Sequence, residues 1–340
     1  MRDAASLART RAMLVTALGN EIVAALEDPS VVEIMINPDG KLWVERHGSG
    51  RIETGSMPAA DAERAIRLVA SHMGRRADAG SPIVSAELPM GGERFEGVLP
   101  PVAPAPCFSI RKPAGRVIAL DDYVASGVMA AHHAEALRRA VQERENILVV
   151  GGTGSGKTTL ANALLAEIAR TGDRLVILED TRELVSAAED SVQLRTQPGS
   201  VSLADLVRST LRLRPDRIII GEVRGAEALD MLKAWNTGHP GGIATLHANS
   251  ALGGLSRLEQ LIGETSAQVP HDLIAETIDC VVYISRRAGR HRVETVARMN
   301  GLGRGGYNLQ LVQPDLQLVL PSLPFSEPLL STAPERTPPQ

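Results

Sequence analysis

The sequence predicts an α/β chain in two parts: a smaller α+β domain over residues 1–112 and a larger one over 117–312, built on a mainly parallel sheet. Three observations predict it. Short strand-like runs flank one amphipathic helix in the first 112 residues. Beyond them, compact apolar runs of strand length alternate with helical stretches. A glycine-rich string ending in Lys157-Thr158 sits where one of those strands meets a helix.

Apolar side chains at helical spacing over Leu7–Leu26 predict a first helix, which must stop before Asp28-Pro29. Strands follow at Val31–Ile36 and Leu42–Arg46, separated by the turn residues Asn37-Pro38-Asp39-Gly40. Ala59–Met73 places Ala62, Ile66, Val69 and Met73 on one helical face. Phe95–Leu99 and Phe108–Arg111 read as extended pieces on either side of the proline-rich Pro100–Pro106. Lys112-Pro113-Ala114-Gly115 is a plausible hinge, with the linker taken as 113–116. Strands are then expected at Asn146–Val150, Arg174–Leu178, Arg217–Ile220, Ile243–Leu246 and Val281–Ser285, with helices such as Thr158–Arg170 and Leu203–Leu213 between them. Seven prolines after Val312 argue against a packed helix, so 313–340 reads as a disordered tail or an extended strap. No internal repeat is visible.

Composition narrows the function classes. The chain is 44% apolar and 22% charged, in the range of a globular protein. Only two Trp, three Tyr and three Phe are present, which argues against a nucleic-acid channel built on base stacking. A formal charge of −4 gives no general basic excess, although Arg208–Arg217 is locally basic. Direct nucleic-acid binding is therefore not expected. Cys107 and Cys280 lack metal-ligand spacing and read as small buried residues of a protein kept reduced. No apolar run reaches membrane-spanning length, and the N-terminus is too broken by charge for a secretory segment. The expected location is cytoplasmic, peripheral to any membrane the protein serves.

The glycine-rich string carries the sharpest chemistry. Gly151-Gly152-Thr153-Gly154-Ser155-Gly156-Lys157-Thr158 matches the phosphate-binding loop in full, with strand before and helix after. Its backbone N–H groups, continuing to Thr159, would cradle phosphates at a helix N-terminus. Lys157 would reach the β/γ-phosphates of ATP, and Thr158 would give its hydroxyl to Mg²⁺. In the second motif, Gly221 stands where a strand-end Asp is usual, and Glu222 follows as the natural base or water-positioning residue. Mg²⁺ would then keep more waters and be held by outer-sphere contacts. The other reading of Glu222 is a structural partner of Arg224. A second acidic segment, Glu179-Asp180-Thr181-Arg182-Glu183, closes another strand. Asp180 and Glu183 could position metal-bound water there, or the segment is a solvated turn with a capping Asp. His239 and His247 are too sparsely supported for a zinc site. His247, at a strand end, could sense the γ-phosphate or be an ordinary capped histidine. Candidate charge-neutralising arginines are Arg94, Arg111, Arg212 and Arg214.

Together these segments resemble the secretion-ATPase superfamily, and most closely the conjugal-transfer TrbB family of type IV secretion, over roughly residues 20–300. The features recur in order: the phosphate loop Gly151–Thr158, the acidic box Glu179–Glu183, the Gly221–Gly225 form of the second motif, and the histidine box Gly238–His247. The glycine in place of Asp is a mark of that superfamily. The resemblance implies a RecA-like C-terminal domain and a homohexameric ring with ATP bound between the two domains. It implies that Arg94 and Arg111 reach the nucleotide, that His247 is the later histidine of its box, and that Glu183 is the acidic-box carboxylate. It also implies docking on inner-membrane components of a conjugation channel, with a coupling ATPase as a further partner, to power pilus biogenesis or substrate transfer. With two cysteines the chain lacks the tetracysteine insertion of many type II secretion relatives. The helical C-terminal motif of the pilus-retraction branch is not recognisable in Arg292–Val312. A pilus or type II secretion motor, a nucleic-acid-stimulated motor such as a helicase, and a non-hydrolysing scaffold stand as alternatives.

Overall fold

The computed structural model describes residues 4–46, 49–113, 117–197, 199–304 and 306–314. The expected tail beyond 314 and residues 114–116 of the expected hinge lie outside the described residues.

The chain begins with α1 (Ala4–Glu27), β1 (Val31–Ile36), β2 (Lys41–Arg46), β3 (Gly50–Ser56), α2 (Ala59–His72), β4 (Ile83–Glu87), β5 (Arg94–Val98) and β6 (Cys107–Arg111). Its six strands form one antiparallel sheet in the order β3-β2-β1-β6-β5-β4. Leu14, Leu18 and Ile22 of α1 and Ala62, Ile66 and Val69 of α2 bury against Ile34, Phe95, Phe108 and Ile110. The apolar stripe read along α2 is that buried face, except that Met73 caps the helix end and stays 40% exposed. The two edge strands escape the sequence pattern. Most of β3 faces water, so its residues carry no apolar alternation to read.

The second part runs α3 (Leu120–Ala125), α4 (Ala131–Gln142), β7 (Ile147–Gly151), α5 (Lys157–Ile168), β8 (Leu175–Glu179), β9 (Ser191–Arg195), α6 (Leu203–Thr210), β10 (Arg217–Ile220), α7 (Glu227–Asn236), β11 (Ile243–His247), α8 (Ala251–Gly263), α9 (His271–Thr277), β12 (Cys280–Arg287), β13 (Arg290–Gly303) and β14 (Gly306–Leu311). The eight strands order as β14-β13-β12-β7-β11-β10-β8-β9. From β12 to β9 every pairing is parallel, and β13–β14 add an antiparallel hairpin at one edge. The stretch Arg292–Val312 is thus largely strand. Every residue of β7, β8 and β10 is buried, because helices cover both faces. One apolar cluster joins α3–α5 to the sheet and the other joins α6–α9.

The parallel register is pinned at its amino end by one side chain. Asn146 is 5% exposed; its Oδ1 accepts from Gly242 N–H ahead of β11 at 2.9 Å, and its Nδ2 donates to Thr277 O ahead of β12 at 2.8 Å. The Asn146 N–H donates in turn to Asp279 Oδ2 at 2.7 Å. Elsewhere the basic stretch before β10 is not one surface. Arg217 is 1% exposed and donates from Nε to Asp173 at 2.6 Å, whereas Arg212 and Arg214 are exposed. The cysteines also differ: Cys280 is buried in β12, but Cys107 in β6 is only half-buried.

Asn146→Ala leaves a buried N–H and a buried carbonyl without partners and is expected to lower stability by roughly 2–4 kcal/mol. Urea denaturation checks this through a reduced midpoint at unchanged slope.

Candidate functional site

Parallel pairing sets the carboxyl ends of four strands side by side, where ligand crevices form in such sheets. His247 of β11 is in register with Gly151 of β7, and Ile220 of β10 with Leu178 of β8. The glycine-rich loop leaves β7 at this edge and turns into α5 through Gly156, whose φ of 97° a side chain would strain.

Lys157 opens α5 and is 8% exposed; its Nζ donates to Gly151 O at 3.1 Å and Gly152 O at 3.0 Å. Burial lowers its ammonium below the ordinary value, with the Glu222 carboxylate opposing. The Thr158 hydroxyl donates to Glu183 Oε2 at 3.2 Å. Arg94, from the antiparallel sheet, stands 3.7 Å from Glu183 Oε1. Arg111 joins Arg94, Lys112, Thr158, Thr159 and Glu183 around a cavity of about 280 Å³ between the two sheets.

Glu222 follows β10. Its Oε2 accepts from Arg224 Nε at 2.7 Å, and its Oε1 lies 2.7 Å from His247 Nε2, without hydrogen-bond alignment. The same imidazole nitrogen is 3.4 Å from Lys157 Nζ. Burial and the Lys157 charge hold the His247 imidazolium below its usual range, which favours the neutral ring. The structure thus gathers Lys157, Thr158, Glu183, Glu222, His247, Arg94 and Arg111. Asp180 lines the small space shared with Thr158, Glu183 and Glu222, where it accepts from Thr196 Oγ1 at 2.9 Å and faces Arg224 at 3.7 Å. His239 sits before β11, at the opposite end of the sheet, with Nδ1 3.2 Å from Ala234 O. Arg212 and Arg214 likewise precede β10 and stay far from the phosphate loop along the strand direction.

Sequence reading missed two residues here and gave a third, Glu179 of the acidic box, no role of its own. Asn162, 1% exposed within α5, donates to Glu183 O at 3.2 Å and accepts from Val185 N–H at 2.9 Å, which staples the acidic segment to the helix. Its one signal was a polar residue inside the apolar run Leu160–Leu165. His291 Nδ1 lies 2.9 Å from Ser155 O across the loop, a contact that no local pattern announces. Glu179, the last residue of β8, is 2% exposed, and its Oε1 accepts from Glu183 N–H at 2.9 Å and Leu184 N–H at 2.8 Å. Burial outweighs those donors and pushes its carboxyl up to about 7.

A family profile described as "Type II/IV secretion system protein" matches residues 17–304. The chain belongs to this secretion family. Among its relatives, a probable conjugal transfer protein TrbB of Sinorhizobium fredii is 52% identical over 296 residues, covering 86% of this chain and 91% of that one. The type IV secretion system protein PtlH of Bordetella pertussis is 36% identical over 316 residues, covering 82% and 93%. The crystal structure of the pilus retraction motor PilT with bound ADP shares the fold, at a TM-score of 0.60 and 19% identity over 87% of this chain and 83% of that one. The resemblance to TrbB read from the four motifs thus extends over most of the chain.

An acid whose pKa is raised on folding binds its proton more tightly in the folded state, so stability is greatest below the unfolded value and falls as pH rises from there through the folded one. For Glu179, with 4.5 as the ordinary value and about 7 in the fold, the loss between pH 4.5 and 8 is ~3 kcal/mol. Chemical denaturation at several pH values is expected to show this slope, and Glu179→Gln to flatten it.

Proposed function

We propose that this chain is the Mg²⁺-dependent ATPase of a homohexameric motor that powers type IV secretion, in conjugal transfer or pilus biogenesis. One observation carries the chemistry: Thr158 stands beside two carboxylates, Glu183 and Glu222, with Lys157 reaching Glu222 through His247, and Thr158 and Glu183 also border the cavity that Arg94 and Arg111 line from the other sheet. The family membership and the 52% identity to TrbB carry the biological role.

In this reading the backbone N–H groups of Gly151–Thr159 cradle the phosphates of ATP, and Lys157 exchanges its carbonyl partners for phosphate oxygens. The donor set fits Mg²⁺: an accessible hydroxyl on Thr158, with Glu183 and Glu222 bordering a water-sized space of about 40 Å³. Thr158 would hold the ion directly and the two glutamates through water, and the bound ion supplies neutralisation of phosphate charge. Glu222 orients and deprotonates the attacking water once Arg224 releases it. His247, neutral and between Lys157 and Glu222, reports whether a γ-phosphate is present. Arg94 and Arg111 offset charge from the other side, so nucleotide draws the two sheets together as two domains hinged near Lys112.

The motor works at the cytoplasmic face of an inner-membrane channel, with channel components and a coupling ATPase as partners. Among the described residues no helix is long and apolar enough to cross a membrane.

Steady-state ATPase activity across a concentration series, with solution mass recorded at each point, tests the ring: specific activity should rise with assembly to the hexamer. Full activity in a monomer would overturn that mechanism. Lys157→Ala is expected to abolish nucleotide binding or turnover. Glu222→Gln is expected to bind ATP normally while kcat falls roughly 100- to 10,000-fold.

A further inference from the structure

The glycine at 221 has a physical cause in the neighbouring strand. A Cβ built on Gly221 would stand 3.0 Å from Glu179 Cγ and 3.4 Å from its Oε1. The backbone there cannot retreat: Gly221 N–H donates to Leu178 O at 2.8 Å, and Gly221 O accepts from the buried Thr245 hydroxyl at 2.6 Å. A side chain at 221 must therefore push Glu179 aside by a few tenths of an ångström. That carboxyl is committed, since Oε1 holds the backbone N–H groups of both Glu183 and Leu184. Its Oε2 is buried without a partner, on the side chain that lines the small space shared with Thr158, Glu183 and Glu222.

We infer that Glu179 is the positioning residue of the acidic segment, fixing the turn that delivers Glu183 to Thr158, and that position 221 is glycine to leave that carboxyl its space. The strand-end carboxyl is thus supplied from β8 instead of β10. Glu179 does not touch nucleotide in this scheme; it acts through Glu183. The inference rests on the ATPase reading for its kinetic consequence but not for its structural one.

Two measurements separate these. Amide exchange at Glu183 and Leu184 reads the turn itself, without nucleotide. Protection should fall in Glu179→Ala and Gly221→Ala and persist in Glu179→Gln, which keeps the acceptor oxygen. In kinetics, Glu179→Ala and Gly221→Ala are each expected to lower kcat about 10- to 100-fold with KM and affinity for a fluorescent ATP analogue nearly unchanged. The double variant should be no slower than Glu179→Ala alone, because both changes remove one arrangement. Glu179→Gln should recover most of the wild-type rate.

Several outcomes would overturn the inference: unchanged exchange in Glu179→Ala, additive losses in the double variant, parallel loss of melting temperature and nucleotide affinity, or a Gln variant as slow as Ala. If wild type hydrolyses no ATP above the Lys157→Ala control, the ATPase reading fails instead, and the exchange pattern still decides the role of Glu179.

Discussion

Parallel register across β12, β7, β11, β10 and β8 is the constraint from which the site follows. Each strand must end level with its neighbours, because a slip would part the phosphate loop from the carboxylates that face it. Asn146 sets that level at the far end by tying the segments that lead into β7, β11 and β12. A short amide does this well: its two ends bond backbone groups in fixed directions, and burial makes an unmade bond costly. Five residues later the same strand reaches Gly151 opposite His247, and the crevice opens there.

Within the crevice the charges are already balanced. Lys157 rests on its own loop carbonyls, Glu222 on Arg224, and Glu183 on Thr158 with Arg94 nearby. Burial lowers the Lys157 ammonium even so, and without such partners a buried lysine or glutamate would shift further or destabilise the fold. Under the proposed ATPase reading, binding a polyphosphate exchanges one set of partners for another, and the exchange reaches both sheets because Arg94 lies in a strand of one and Glu183 follows a strand of the other.

The sequence made the chemistry of this edge legible where it is local. The phosphate loop could be read because its glycines, lysine and hydroxyl occupy consecutive positions with a strand before and a helix after. Glu183, Glu222 and His247 could be read because each lies just past a compact apolar run. The parts that depend on contacts across the fold were opaque. Asn162 and His291 act on segments more than twenty positions away, and Glu179 looked like any other member of an acidic turn until its burial was visible. The edge strands β3 and β4 were missed for a different reason: β3 faces mostly solvent and β4 buries only Val84 fully, so neither needs an apolar alternation. Gly221, an oddity in the sequence, becomes intelligible only beside Glu179.

The two cysteines fall one to each sheet, and their environments differ. Burial in β12 pushes the Cys280 thiol up to about 12, whereas Cys107 in β6 is only half-buried, its thiol also raised by desolvation. Reaction with an alkylating reagent needs an exposed thiolate. Cys280 can react only when the central sheet opens, while Cys107 answers to smaller excursions at the rim of its own sheet. The unmodified chain thus carries two internal clocks, one for breathing of the small sheet and one for loss of the large one, and their labelling rates compare the two without any added probe.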